Sequence, residues 1–524
     1  MKQGNLKLSI IAATTLLISV NAVAAGQMEY VEKKEEPVKV KSAPVPKPKR
    51  TLNGNMTLNY NVVPGNVETI EELFSKGIFY GRVRMNAFYW EWSVDGAPNK
   101  APKQMGVGGS LIYKSGIYKN FSFMIGYYGS LNPSFWRPSA ADAQFSKAGK
   151  DTFSRYKVKT GGGFGLYALG EAYLEYGTDR YNIKAGRQLF ESVFTKSNDT
   201  KMIPNTFDGV SAGVKIAPKS TVRVAWFGYQ KLRDHETHHD VITFGGDDPG
   251  NKWNKWRGND DAGAHKGLTY EKFVAAGKDP HHNLYLADFS SKYIKNLKFT
   301  ASYLQVPGVV QDGVVEAHYK IPVSDSGWAV RPGVRYFLQG DDGGGAIAGY
   351  TNLFGKNALG YDASVAHSLD SNLLNLRVDT LMPNKKGFFR IGYSNVADKA
   401  DIVAPWRGFP TGGFTRAMAQ YNWFANTETW MVRAVYKFNS TWKASLRYAI
   451  QNFDDRKDYV PSDSKVIHLD IWTNITKNLQ MRMRYGNVSA KSDTVQVHLS
   501  TPSDTKYKKD WSYNEFRWEF NYLF

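Results

Sequence analysis

With 524 residues, 14% aromatic content and 48 glycines but a low mean hydropathy, the chain has the composition of a barrel whose strands are only half apolar, or of a large secreted β-protein. The absence of cysteine excludes a disulfide framework and a thiolate metal site. The net charge is +19, and +14 remains on residues 51–524 once the two lysines of the first 27 residues and the surplus of three in residues 28–50 are set aside; it points to anionic solutes or lipopolysaccharide and, for an exported chain, away from nucleic acid.

Export is written at the start. Lys2 and Lys7 precede an apolar run from Leu8 to Val20 and the small-residue site Ala22-Val23-Ala24, which predicts a cleaved signal peptide over 1–24. That run is too short for a spanning helix, which needs about 20 residues, and no later stretch approaches one. Residues 25–50, rich in Pro, Lys and Glu, read as an extended periplasmic linker. Residues 51–76 form a leader in which VETIEELFSKG (67–77) predicts a short amphipathic helix closed by Gly77.

From residue 77 to 524 the period changes to two. In GIFYGRVRMNAFYWEW (77–92) Phe79, Val83, Met85, Ala87 and Tyr89 alternate with Tyr80, Arg82, Arg84 and Asn86. The same pattern recurs in VRPGVRYFLQ (330–339), FFRIGYSN (388–395), WKASLRYAIQ (442–451) and NLQMRMRYG (478–486). Each apolar face starts or ends in Trp, Tyr or Phe, as aromatic girdles require. Tight turns such as 177–180, 217–221, 293–296, 438–441 and 476–478 alternate with long polar loops at 130–165, 189–207, 232–282, 340–371 and 397–426. A soluble sandwich does not sort its connections in this way; a membrane barrel does, with short periplasmic turns and long extracellular loops. Counting alternating segments gives nineteen, whereas a single-chain barrel with both termini in the periplasm needs an even number. Residues 340–371 are therefore read as one external loop. The expectation is an all-β fold: a transmembrane antiparallel barrel of about 18 strands.

In such a barrel the apolar row meets lipid, and Arg482 and Arg484 of NLQMRMRYG line a wet lumen. Parity extends this basic row. Strand fifteen offers Lys443 and Arg447, strand seventeen Arg482 and Arg484, strand eighteen Arg517, and barrel closure brings in Arg82 and Arg84 of strand one. Across the lumen stand Glu171 and Glu175 on strand four and Glu316 on strand ten, with Arg187, Arg335 and Arg390 as further lumenal candidates. Opposed stripes of charge would orient zwitterions. The last segment, DWSYNEFRWEFNYLF, puts Phe516, Trp518, Phe520, Tyr522 and the terminal Phe524 on one face, the signal read by outer-membrane assembly machinery.

The stretch YNIKAGRQLFESVFTKSNDTKMIPNTFDGVSAG (181–213) resembles the OprD-type family of substrate-selective outer-membrane porins, which carry a Gly-Arg/Glu-Gln step, an infolded loop and a Leu-Leu-Pro-x-Thr-Phe-x-Gly return. Here the return reads Met202-Ile203-Pro204-Asn205-Thr206-Phe207-Asp208-Gly209. YKSGIYKNFSFMIGYYGSL (113–131) and PWRGFPTGGFT (405–415) are further matches, whereas loops 232–282 and 340–371 depart from the family pattern. The resemblance implies an 18-strand channel, a pore-narrowing third loop and an arginine ladder that guides carboxylates. For that loop it points to Phe190, Phe194, Lys196, Asp199 and Lys201 of residues 189–207.

His235-Glu236-Thr237-His238-His239 satisfies H-E-x-x-H but lacks the third ligand and the helical setting of a zinc protease. The pairs Asp247-Asp248, Asp260-Asp261 and Asp341-Asp342 lack EF-hand spacing, and GGGFG (161–165) and GDDGGGAIAG (340–349) lack the Lys-Ser/Thr of a phosphate cradle. No Ser/His/Asp grouping stands out. The reading is therefore a passive porin for small anionic or zwitterionic nutrients, with no enzymatic activity, no cofactor and no metal. Its expected partners are outer-membrane lipid, lipopolysaccharide and the assembly machinery, as a monomer or homotrimer. A nonselective porin is the alternative within transport; a surface adhesin or barrel hydrolase is the alternative outside it.

Overall fold

Alternating apolar and polar residues leave each strand with one greasy and one wet face, and a sheet of such strands in lipid must close so that no backbone edge stays unpaired. The computed structural model describes residues 48–94, 97, 99–243, 263–358, 360–418, 421–491, 495–496, 508–509 and 511–524. The expected signal peptide, nearly all of the linker and the pairs Asp247-Asp248 and Asp260-Asp261 lie outside the described residues.

Eighteen long antiparallel strands form the closed barrel. They are β1 (Ile78–Trp92), β2 (Lys103–Lys114), β3 (Phe121–Leu131), β4 (Leu166–Gly177), β5 (Tyr181–Gln188) and β6 (Thr206–Ala217). Next come β7 (Ser220–Lys231), β8 (Leu284–Ser291), β9 (Leu297–Val306), β10 (Val310–Tyr319), β11 (Ala329–Asp341) and β12 (Ser371–Leu381). The wall ends with β13 (Gly387–Val396), β14 (Glu428–Lys437), β15 (Trp442–Asn452), β16 (Asp463–Asn474), β17 (Leu479–Lys491) and β18 (Tyr513–Leu523). The seam is β18 against β1, with Trp518 opposite Ala87 and Phe520 opposite Met85. The C-terminal Phe524 completes it by exchanging backbone hydrogen bonds with Gly81, at 2.9 and 3.1 Å.

The faces fall as the alternation predicts. Phe79, Val83, Val334, Ile391, Leu446 and Trp518 are exposed on the outer surface. Their neighbours Arg82, Arg84, Arg335, Arg390 and Arg517 are buried inside. No helix among the described residues is long and apolar enough to cross a membrane; the strands do the spanning. Residues 342–370 form one connection between β11 and β12, as parity requires.

Two features differ from expectation. The connection 307–309, on the long-loop side, has only three residues. The longest loops, moreover, are not simply polar. Val241, Leu268, Phe273, Leu353, Ile402, Trp406 and Trp423 fold back over the mouth and build one core with the inward Phe227, Leu304, Phe337 and Leu373 of the wall. Loop residues that cover wall in this way bury apolar surface worth roughly 25 cal/mol per Å², so these loops are part of the packed interior.

The leader contains the expected helix, shortened to α1 (Ile70–Ser75) and capped by Thr69, whose hydroxyl accepts from the Glu72 amide. Ahead of it, residues 50–52 and 58–60 pair as a small antiparallel hairpin.

Candidate permeation site

Within the barrel a cavity of about 780 Å³ lies against β13–β18 and the outer end of β1. Its lining holds thirteen Lys and Arg side chains against three carboxylates. Of the basic row read from parity, Arg447, Arg482, Arg484 and Arg517 reach this cavity. The organising group is Asp470 of β16, a fully buried carboxylate directly across from Arg484. It accepts from Arg482 Nε and Nη2 at 3.1 and 2.8 Å and from Arg484 Nε at 3.0 Å. His468 Nε2 stands 2.9 Å from its other oxygen and Arg447 Nη2 4.0 Å away. Arg517 bonds Glu515 at 2.9 Å. Lys443 lies near the short-turn end, its ammonium 4.3 Å from the Trp472 ring centre.

Arg82 and Arg84 do something else. Both clasp Asp199 of the third loop, Arg84 at 2.8 Å, and Arg84 also binds Glu519 at 2.7 Å. Asn86 donates to the carbonyls of Thr200 and Lys201 at 3.1 Å. Three successive inward positions of β1 thus pin the third loop against the wall. Lys201 points its ammonium at the Ala148 carbonyl and over Phe88. Phe194 packs edge-on to Phe337, 5.7 Å between centres, and Phe190 on Phe227 at 5.3 Å, so both rings are anchors.

Lys196 sits 3.6 Å from Glu191, and this pair borders both the large cavity and a second one of about 530 Å³. Phe409 and Gly412 of the seventh loop (397–427) also border both. The two loops are joined by backbone: Lys196 donates to the Trp406 carbonyl at 3.0 Å, and Thr195 bridges Arg407. Gly408 allows this approach, since a Cβ there would lie 2.0 Å from the Phe194 carbonyl carbon.

The acidic residues expected across the lumen are paired. Glu316 accepts from Arg335 Nε at 2.8 Å and lies 2.5 Å from His318 Nε2. Glu171 accepts the Tyr128 hydroxyl at 2.8 Å, and Glu175 faces Lys184 at 3.8 Å. Arg390 is held by Asp379 at 2.6 Å. Arg187 requires a correction, because the register puts it on the outward row. It lies opposite Asp208, which in turn faces the exposed Tyr229. Its guanidinium forks onto Asp208 at 2.9 and 3.0 Å and onto the Leu169 carbonyl at 3.0 Å. The next residue, Gln188, turns inward to Ser211.

Sequence reading missed the cations that carry no carboxylate. Arg433 of β14 donates to the Ser445 hydroxyl at 3.1 Å, and Arg416 of the seventh loop lies 3.2 Å over the Phe409 ring. Neither has a carboxylate within 4 Å among the described residues. Alternation of Trp430 and Val432 with Met431 and Arg433 was a usable signal for the first; nothing local marks the second. Other loops also contribute to the lining. Asp151 is clasped by Arg233 at 2.6 Å. Burial would push the Asp151 carboxyl up, but Arg233, Lys150 and Lys201 hold it well below the ordinary range. Burial, with Lys150 and Arg155 nearby, pushes Lys147 down to about 7.

The H-E-x-x-H stretch is not helical. Glu236 accepts from Lys157 at 2.9 Å, while His238 Nε2 lies 3.2 Å from Asp208. Among the described residues no three ligating side chains come together as a metal site.

No family model matches the chain, and no curated protein is similar to it in sequence. Solved structures do match in fold. The chain is similar to OccK8 (OprE) of Pseudomonas aeruginosa at 12% identity and TM-score 0.60, and to OccAB2 of Acinetobacter baumannii at 15% and 0.59. It is also similar to OpdK of Pseudomonas aeruginosa, solved with vanillate, at 12% and 0.56. In each case 86% of this chain and 99% of the other are covered. The architecture is that of the 18-strand OprD/Occ outer-membrane porins.

Proposed function

We propose that the protein is an outer-membrane diffusion channel for small anionic solutes, carboxylates above all. The observation that carries this reading is the thirteen-to-three excess of cations over carboxylates around the large cavity. In a narrow wet lumen such an excess raises the local anion concentration and repels cations. Arginine suits the task because its planar fork meets a carboxylate with two parallel hydrogen bonds and stays charged at every physiological pH. Arg482 and Arg484 supply net charge although Asp470 neutralises part of it. Arg433 and Arg416 have donors to spare for a passing solute. Trp90, Trp92 and Tyr421 add apolar faces beside those cations. OpdK, solved with vanillate, supports this pairing of ring and carboxylate recognition. Solutes would leave through the opening bordered by Glu191 and Lys196 into the second cavity.

The test is single-channel recording of the full chain in planar bilayers. Ohmic steps with anion preference, and block by carboxylates, are the expected result. Replacing Arg447, Arg482 and Arg484 together by neutral residues should lower that preference. Silence, or preference for cations, would sink the proposal; silence would leave the adhesin or hydrolase reading.

A further inference from the structure

We infer that the hairpin 50–60 is a lumenal plug whose tip forms part of the selective constriction, an assignment that rests on the channel reading above. Among the described residues its two strands pair only with each other and not with the barrel wall. Even so, the tip residues Asn53, Gly54, Asn55 and Thr57 line the large cavity. A hairpin that contributes nothing to the sheet but occupies the lumen is there to fill it.

Its seat is specific. Arg82 Nη1 donates to the Met56 carbonyl at 2.7 Å, and Met56 is buried in a left-handed turn with φ +66°. Asn55 Nδ2 donates to Glu191 Oε1 at 2.7 Å. Glu191 is the acidic partner of Lys196, and both line the two cavities, so the tip is latched where those cavities adjoin. Tyr60 stacks obliquely on Tyr80 of the wall, 5.4 Å between centres. Below the hairpin the chain is clamped to the turn between β2 and β3. There Gly65 and Leu73 carbonyls accept from Ile117 and Gly116 at 3.1 and 2.9 Å. That fixed base holds the tip in place.

The tip has a chemical consequence as well as a steric one. It presents neutral amide and hydroxyl groups to a cavity whose other walls are cationic. It also engages Arg82 and Glu191, so neither is left to the solute. Solutes would be gripped by guanidinium on one side and by amides on the other.

Recording from the full chain tests this. The protein has no cysteine, so Asn55→Cys creates a single thiol. Modification of that thiol by an anionic methanethiosulfonate should cut the current and lower anion preference. Deletion of residues 50–60 should raise conductance about twofold, because the narrowest segment of a pore limits its conductance. Current from a silent intact chain after the deletion would support the plug equally well. Unchanged current and selectivity in the thiol-modified Asn55→Cys channel, or an unchanged conductance in a folded deletion variant, would overturn the plug and leave the channel reading standing. Silence from every form would overturn both.

Discussion

Asp470→Asn separates the two roles of lumenal charge, because the carboxylate serves both. The substitution keeps shape and removes one negative charge from a group whose side chain is fully buried between Arg482, Arg484 and His468. Removing one member of a buried ion pair costs about 3–5 kcal/mol. The arginine side chains keep 10% and 14% of their surface in the lumen, so the low end of that range, about 3 kcal/mol, is the expected loss. It should appear as a lower urea midpoint at unchanged slope. Selectivity should move the other way. A unit charge about 8 Å from a passing ion contributes about 0.5 kcal/mol even at the dielectric constant of water, with opposite sign for an anion and a cation, so about 1 kcal/mol between the two. Deleting the negative one should raise anion-over-cation permeability about fivefold, since 1.4 kcal/mol is a factor of ten. The assay is the reversal potential across a KCl gradient, alongside urea unfolding of the same preparation. A folded variant whose reversal potential stays put, or moves toward cations, would refute the reasoning: the solute path would not run past Asp470.

Asp199→Asn should free the third loop from Arg82 and Arg84, lowering stability by about 3–5 kcal/mol as for any broken buried pair and adding open-channel noise. Quiet openings and an unshifted unfolding midpoint would contradict that anchor. Gly408→Ala places a methyl 2.0 Å from the Phe194 backbone, so unfolding should begin with separation of the third and seventh loops, costing about 1–3 kcal/mol, visible as earlier proteolysis in either loop. Lys147, with its ammonium pushed down to about 7, is charged below that pH and neutral above. Anion preference should therefore fall between pH 6 and 8. Asp234, pushed up to about 7 by burial and Asp151, gains its negative charge over the same range. Lys147 lines the large cavity and Asp234 does not, so Lys147→Gln should flatten most of the step; a full step in that variant would assign it elsewhere.

Much of the wall is readable because lipid outside and water inside impose period two on every strand. Leu446 and Arg447, or Ile391 and Arg390, declare their faces without any knowledge of their partners. Even the awkward 340–371 stretch yields to parity. Such reading fails where residue type is set ahead of parity. Arg187 shares the row of the exposed Tyr181 and Ile183, and the unbroken register that pairs it with Asp208 keeps it outside, where an inward arginine was expected. It also fails wherever the contact is distant in sequence. Nothing near Arg84 announces Asp199, 115 positions away, and nothing near Asn55 announces Glu191, 136 away. The apolar residues of loops 342–370 and 397–427 come as short clusters such as Leu353-Phe354, Ile402-Val403 and Trp423-Phe424, without period and set in polar sequence. They become a core only when three loops and the wall meet, which local pattern does not encode.

Stability and permeation make opposite demands on a lumenal arginine, and the wall meets them at different places. Where the third loop has to be held, at the β18–β1 seam, Arg82 and Arg84 are fully covered and matched by Asp199 and Glu519. Such a site is rigid but has little charge left to offer. On β14 and in the seventh loop the supports are neutral: a serine hydroxyl and the Phe388 ring for Arg433, the Phe409 ring for Arg416. An aromatic face steadies a cation through its quadrupole without cancelling the charge, so the guanidinium is oriented and still open to a carboxylate. Glu316, on the far wall, is compensated by Arg335 and His318. The field across the lumen therefore arises from uncompensated cations on one side more than from acids on the other, and under the proposed reading an anion would be drawn toward β13–β18 where those cations stand.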